Sequence, residues 1–198
     1  MKLVLATQNP KKLKEMNEIL RHLGVEVVSE AELGVRIEVE ETGETFTDNA
    51  RLKATAVMQA TGLTAVADDS GLCVDALNGG PGVYSARFGG EGLDDKGRYT
   101  LLLEMLRGQT DRAAHFHTSI VCAFPNGDEL VCEGECPGTI AFAPMGEGGF
   151  GYDPVFFVPE LRKTFGQLTA EEKASVSHRG KALRAFAAAL DDYLKGNE

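Results

Sequence analysis

The sequence predicts a mixed α/β fold with a parallel-type core early in the chain and an antiparallel portion later. Three observations carry that expectation. Short apolar runs alternate with segments of helical periodicity over the first third. Two strand-like runs, HFHTSIVCAF and ELVCEGEC, flank the turn residues PNGD. The tail, SHRGKALRAFAAALDDYLK, returns to helical spacing.

Each element has its own justification. Lys2 to Ala6 read as a buried strand because Leu3, Val4 and Leu5 form an unbroken apolar run. A helix from Pro10 to Leu23 follows: Asn9 can cap it, proline suits the first helical position, and Leu13, Met16, Ile19, Leu20 and Leu23 recur at helical spacing. Val25 to Ser29 predict a second strand, followed by an acidic loop and a helix over about Asp48 to Thr61. Leu63 to Ala67 predict a strand ending at Asp68, Asp69 and Ser70. After the glycine-rich GGPGVYSARFGG, a helix carries Leu101, Leu102, Leu103, Met105 and Leu106. Further strands are predicted around Gly138 to Ala143 and Val155 to Val158, and the tail helix buries Leu183, Phe186, Leu190 and Leu194. No repeat or linker divides the chain, which predicts one domain.

Composition narrows the function. A chain of 198 residues, 43% hydrophobic, can build one sizeable core or two lobes. A net charge of −10 argues against broad binding to nucleic acid or anionic membranes. A small phosphorylated ligand remains compatible, provided local cations and a divalent metal offset the distant field. No apolar run is long enough to span a bilayer, and the N-terminus reads as a strand rather than a leader, so the expected location is cytoplasmic. Cys73, Cys122, Cys132 and Cys136 show no CxxC spacing and read as reduced thiols.

The first turn after Asn9 contains an anomaly. Unpaired N–H groups give a helix start a partial positive charge that favours acids, yet Lys11, Lys12 and Lys14 stand there. They read either as a solvated face or, with the free N–H groups, as an anion site at the end of a strand. Ser177 repeats the pattern, capping a helix that begins with His178 and Arg179, a donor array suited to carbonyl or phosphate oxygens. Thr169 and Glu172 form a capping box that leaves Lys173 to point elsewhere.

Asp68 and Asp69 are adjacent on a strand and face opposite ways, so they cannot share one role; an Asx turn is the alternative reading. The run Glu38, Glu40, Glu41 and Glu44 reads as a solvated loop or as a source of one carboxylate for Mg²⁺, with an aspartate of the pair supplying another. Gly146, Gly148 and Gly151 satisfy the GxGxxG spacing, but YDPVFFVP continues as strand where a dinucleotide-binding fold needs a helix. That loop instead places Phe150 and Tyr152 near a flat ligand with Asp153 as a polar contact, or packs its aromatics into the core. His115 and His117 share a strand face without an evident third ligand and read as strand residues.

TQNPKKLKE, ETGETF, ADDSGL, PGVYSARF, GGFGYDPVFF and SHRGKAL occur in this order over nearly the whole chain. With these six motifs the sequence strongly resembles the inosine triphosphate pyrophosphatase family, in particular its bacterial dITP/XTP branch. The resemblance implies a long mixed, twisted sheet flanked by helices, with residues 1–198 forming one domain of two lobes around an active-site cleft. It implies a Mg²⁺-dependent homodimer that hydrolyses non-standard purine triphosphates, dITP, ITP and XTP, to the monophosphate and pyrophosphate. Carried over by motif, Thr7, Gln8, Asn9, Pro10, Lys11 and Lys12 bind the triphosphate, with Lys12 also catalytic. Glu41, preferred over the adjacent Glu40, and Asp69 hold magnesium. Asp69 also accepts the proton of the attacking water, with Asp68 as an acidic helper. Ser70, Phe150, Gly151, Tyr152, Asp153, Lys173, His178 and Arg179 bind nucleotide or base. Gln8 departs from the glycine or small polar residue that relatives often carry.

Overall fold

The computed structural model describes residues 1–7 and 9–196. Its strands are β1 (Lys2–Leu5), β2 (Glu26–Ser29), β3 (Thr64–Val74), β4 (Gly80–Pro81), β5 (Ala113–Ala123), β6 (Glu129–Ile140), β7 (Phe156–Val158) and β8 (Lys163–Thr164). Its α-helices are α1 (Pro10–Leu20), α2 (Phe46–Thr61), α3 (Asp95–Met105), α4 (Ala170–Val176) and α5 (His178–Gly196). Hydrogen-bonded strand neighbours run β2-β1-β3-β5-β6-β7-β8, with β4 off β3, which is a mixed sheet.

The chain divides into two compact units. The first comprises Met1–Asp69, Thr118–Gly134 and Lys181–Glu198. There β1 pairs in parallel with β2 and with β3, Leu3, Val4 and Leu5 lying opposite Thr64, Ala65 and Val66. One core cluster gathers Leu3, Leu5 and Val66 with Met16 and Leu20 of α1 and Leu183, Phe186 and Leu190 of α5. Val4, Ala65 and Ala67 pack against Ala50, Ala54 and Val57 of α2. Residues alternate faces along a strand, so α1 with α5 and α2 cover opposite faces of this part of the sheet.

The second unit comprises Ser70–His117 and Glu135–Gly180. Its antiparallel pairs β3–β4, β6–β7 and β7–β8 accompany a core of Leu72, Val74, Leu102, Phe116, Ile140, Phe156 and Phe165.

Three expectations about elements need correction. The strand predicted to end at Asp68, Asp69 and Ser70 instead runs through them to Val74, with β5 as its neighbour in the sheet and β4 pairing with Cys73 and Val74 at its end. The region around Gly138 continues β6, while residues 141–143 lie outside any strand. Thr45 caps α2 in a reciprocal box with Asp48, so this helix begins at Phe46 rather than Asp48.

Candidate active site

The alternation of β3 separates the two aspartates. Asp68 follows Val66 on the α1 face, and Lys12 Nζ reaches its Oδ2 at 2.7 Å. Only 1% of the Asp68 side chain is exposed, so this is a carboxylate held inside by a cation from the adjoining helix. Asp69 follows Ala67 on the α2 face, where its Oδ2 accepts a hydrogen bond from Asn49 Nδ2 at 3.2 Å.

At the start of α1, Asn9 accepts a hydrogen bond from the Lys11 N–H at 2.9 Å and donates its own N–H to Thr7 Oγ1 at 3.2 Å, while Pro10 opens the helix. No acid stands in this turn. The three lysines divide: Lys11 is exposed, Lys14 lies 3.8 Å from Glu18 in a surface pair of little energetic weight, and Lys12 turns to Asp68. Gln8 lies outside the described residues.

Lys53 was not legible as a site residue. One turn beyond Asn49 on α2, its ammonium donates to Glu41 Oε1 at 2.7 Å and to the Asp68 carbonyl at 2.9 Å, and it lies 3.7 Å from Asp69 Oδ1. The carboxylates of Glu41 and Asp69 thus share one cation, whereas Glu40 is exposed. Among the described residues no group of three or more His, Cys, Asp or Glu side chains could hold a metal ion. Two hard carboxylates that already draw a cation between them fit Mg²⁺, which takes one or two carboxylates and completes its shell with substrate phosphates and water. The i, i+4 spacing of Asn49 and Lys53 after ETGETF was the available signal, but such spacing also describes an ordinary solvated helix face.

Unit 2 builds a second group. Phe150 is 77% exposed, and Lys173 Nζ lies 4.8 Å from its ring centroid and 5.2 Å from that of Phe165. The same ammonium donates to Asp153 Oδ2 at 2.5 Å, which also accepts the Phe150 N–H at 2.8 Å. Burial pushes the Asp153 carboxyl above its ordinary pKa, while Lys173 pulls it back. Gly149 must lack a side chain, since its φ is +79° and a Cβ would stand 1.9 Å from Asp153 Oδ2. Gly151 donates its N–H to Asp95.

Tyr152 faces inward. Its hydroxyl donates to the Ser85 carbonyl at 2.8 Å, and burial pushes its pKa to about 12, so Phe150 is the exposed aromatic of this loop. A cavity of about 510 Å³ beside the loop is lined by three acids, Asp94, Asp95 and Glu147, against one cation, Lys96, a net negative lining that disfavours phosphate.

Thr169 and Glu172 form the expected capping box on α4. Ser177 Oγ accepts the Gly180 N–H at 3.1 Å as α5 begins. The His178 ring stacks on Phe116 with centroids 4.7 Å apart, and Arg179 is half-buried. Ser70 is exposed on β3. His117 Nδ1 lies 3.0 Å from Glu135 on the neighbouring strand.

A family model described as the Ham1 family matches residues 3–189. A dITP/XTP pyrophosphatase of Exiguobacterium is 50% identical over 196 residues, covering 99% of this chain and 100% of that protein. One from Desulforamulus reducens is 54% identical, covering 93% and 92%. Among solved structures, a HAM1 protein from Coxiella burnetii superposes with a TM-score of 0.93 at 43% identity, covering 97% of this chain and 99% of the other. The Staphylococcus aureus Ham1 protein gives 0.91 at 41%, with all of both chains covered.

Proposed function

Because the chain belongs to the Ham1 family, we propose that it hydrolyses non-standard purine nucleoside triphosphates, dITP, ITP and XTP, to the monophosphate and pyrophosphate, keeping them out of DNA and RNA. The observation that carries this reading is the grouping on β3: Lys12 on buried Asp68, and Glu41 and Asp69 sharing Lys53.

The triphosphate is held by Thr7 to Lys12, where backbone N–H groups at the start of α1 and the Lys12 ammonium offset its charge. Asp69 accepts a proton from water as the water oxygen bonds to the α-phosphorus. The bond from that phosphorus to the α–β bridging oxygen breaks, and its electron pair leaves with pyrophosphate. Glu41 and Asp69 would hold Mg²⁺, which when bound would supply neutralisation of charge on the phosphate oxygens. Asp68 keeps Lys12 placed.

Unit 2 recognises the base. Phe150 offers an exposed face for stacking, held by Gly151, Tyr152 and Asp153 in its own loop. Ser70, Lys173, His178 and Arg179 supply donors, which suit a 6-keto purine and oppose the 6-amino group of adenine. The two units act as one domain of residues 1–198, a reading supported by the family match across both. The enzyme works on a small-molecule nucleotide in the cytoplasm as a homodimer. Its net charge of −10 disfavours nucleic acid, and no helix among the described residues is long and apolar enough to cross a membrane.

The test incubates protein and Mg²⁺ with dITP, XTP, ITP, dATP and dGTP separately, assaying pyrophosphate and orthophosphate in parallel. Pyrophosphate from the first three alone is the expected result. Orthophosphate as the first product, or equal turnover of dATP, overturns the reading.

A further inference from the structure

We infer that Asn49 is a positioning residue that decides which oxygen of Asp69 works: it holds Oδ2, leaving Oδ1 directed to the side occupied by Glu41 and Lys53. This rests on the reading of Asp69 as proton acceptor.

Asparagine is a poor choice inside a helix, where its amide competes with the backbone. Here it sits in α2 with its side chain wholly buried, a position that demands satisfied hydrogen bonds. Both ends of the amide are used. Oδ1 accepts the Gly43 N–H at 2.8 Å, and Nδ2 donates to Asp69 Oδ2 at 3.2 Å. The orientation follows from chemistry, since an N–H needs an acceptor and a carboxylate needs a donor; the flipped amide would oppose both.

Gly43 shows how closely this contact is built. A Cβ there would stand 2.7 Å from Asn49 Oδ1 and 2.6 Å from Asp48 Cβ, so the segment carrying Glu41 reaches the amide only because residue 43 has no side chain. One turn along α2, Lys53 approaches the other Asp69 oxygen, Oδ1, at 3.7 Å while bonding Glu41 at 2.7 Å. The helix therefore addresses the carboxylate with two unlike groups: a neutral amide at Oδ2, and the charged Glu41–Lys53 pair at Oδ1. A single buried amide fixes both the rotation of Asp69 and its register with the Glu41 segment.

Two variants separate this role from simple loop anchoring. Asn49→Asp keeps size and an acceptor for Gly43 but replaces the donor to Asp69 with a carboxylate. Asn49→Ala removes both bonds. Each is measured for kcat and KM with dITP, for dITP binding in EDTA, and for thermal melting, beside Asp69→Asn. A misplaced reacting group can cost on the order of 100-fold in rate, so Asn49→Asp is expected to lose about that much in kcat while KM, metal-free dITP binding and a cooperative melt are retained. Asn49→Ala is expected to lose kcat too, with a lower melting temperature. If Asp69→Asn is inactive while Asn49→Asp keeps the native kcat, the amide only anchors the loop and the inference is wrong. If Asp69→Asn itself turns over normally, the role of Asp69 fails, and the inference falls with it.

Discussion

Replacing Lys173 with methionine tests what holds the aromatic loop of the second unit. The Asp153 side chain is 4% exposed and takes the Lys173 ammonium at 2.5 Å and the Phe150 N–H at 2.8 Å. Methionine keeps most of the apolar stem and removes the charge, leaving a buried carboxylate without its cation. Breaking one side of a buried ion pair costs about 3–5 kcal/mol. Lys173 retains 23% exposure, so solvent screening places the loss at the lower end, about 3 kcal/mol. For a chain of this length that lowers Tm by roughly 6–12 °C in a thermal melt.

The pH dependence has a definite sign. Burial already raises Asp153 above its ordinary value of 3.8. A carboxyl whose folded-state pKa exceeds its unfolded one penalises the fold as pH rises through 3.8 and past the folded value, and the penalty disappears in acid. Removing Lys173 raises the folded value further, so the deficit of the variant against the native protein is largest at neutral pH and shrinks towards pH 3.8. Adding Asp153→Asn to Lys173→Met removes the stranded charge yet keeps an acceptor for Phe150, so the double variant should recover most of the loss. A deficit independent of pH, or a double variant no more stable than the single one, would refute the reasoning.

Phe150→Ala should raise KM for dITP by roughly 5- to 150-fold, the equivalent of about 1–3 kcal/mol of stacking, without lowering Tm because the ring is 77% exposed; an unchanged KM removes Phe150 from base recognition. Ser85→Ala deprives the buried Leu72 N–H of its acceptor and should cost about 1–3 kcal/mol in urea unfolding. A native-like urea midpoint would show that the PGVYSAR segment is not held this way. Asp69→Asn should lower kcat by about 10²–10⁴-fold, the range typical of general-base loss, while dITP still binds in EDTA; near-native turnover would take Asp69 out of the chemistry.

Much of this was legible because the signals are local. Asn9 caps α1 and Pro10 opens it as spacing predicts, Thr169 pairs with Glu172, and Ser177 accepts the Gly180 N–H. The separation of Asp68 from Asp69 followed from strand alternation alone. What was misjudged depends on distant partners. The end of β3 was read from the loss of apolar residues, yet β3 lies between β1 and β5 in the sheet and its last two residues pair with β4, so the strand runs past three polar residues.

The sequence by itself determined the order of the longer elements, though not the two-residue strands β4 and β8, together with the motifs that place the chain in its family and which side chains are chemically capable. Those depend on periodicity, caps and residue types a few positions apart. Tertiary structure alone decided their pairing: Lys12 with an acid 56 positions away, Tyr152 turned inward to Ser85, and Asn49 and Lys53 drawn to one carboxylate. The physical reason is that a hydrogen bond depends on distance and direction in space, and separation along the chain specifies neither.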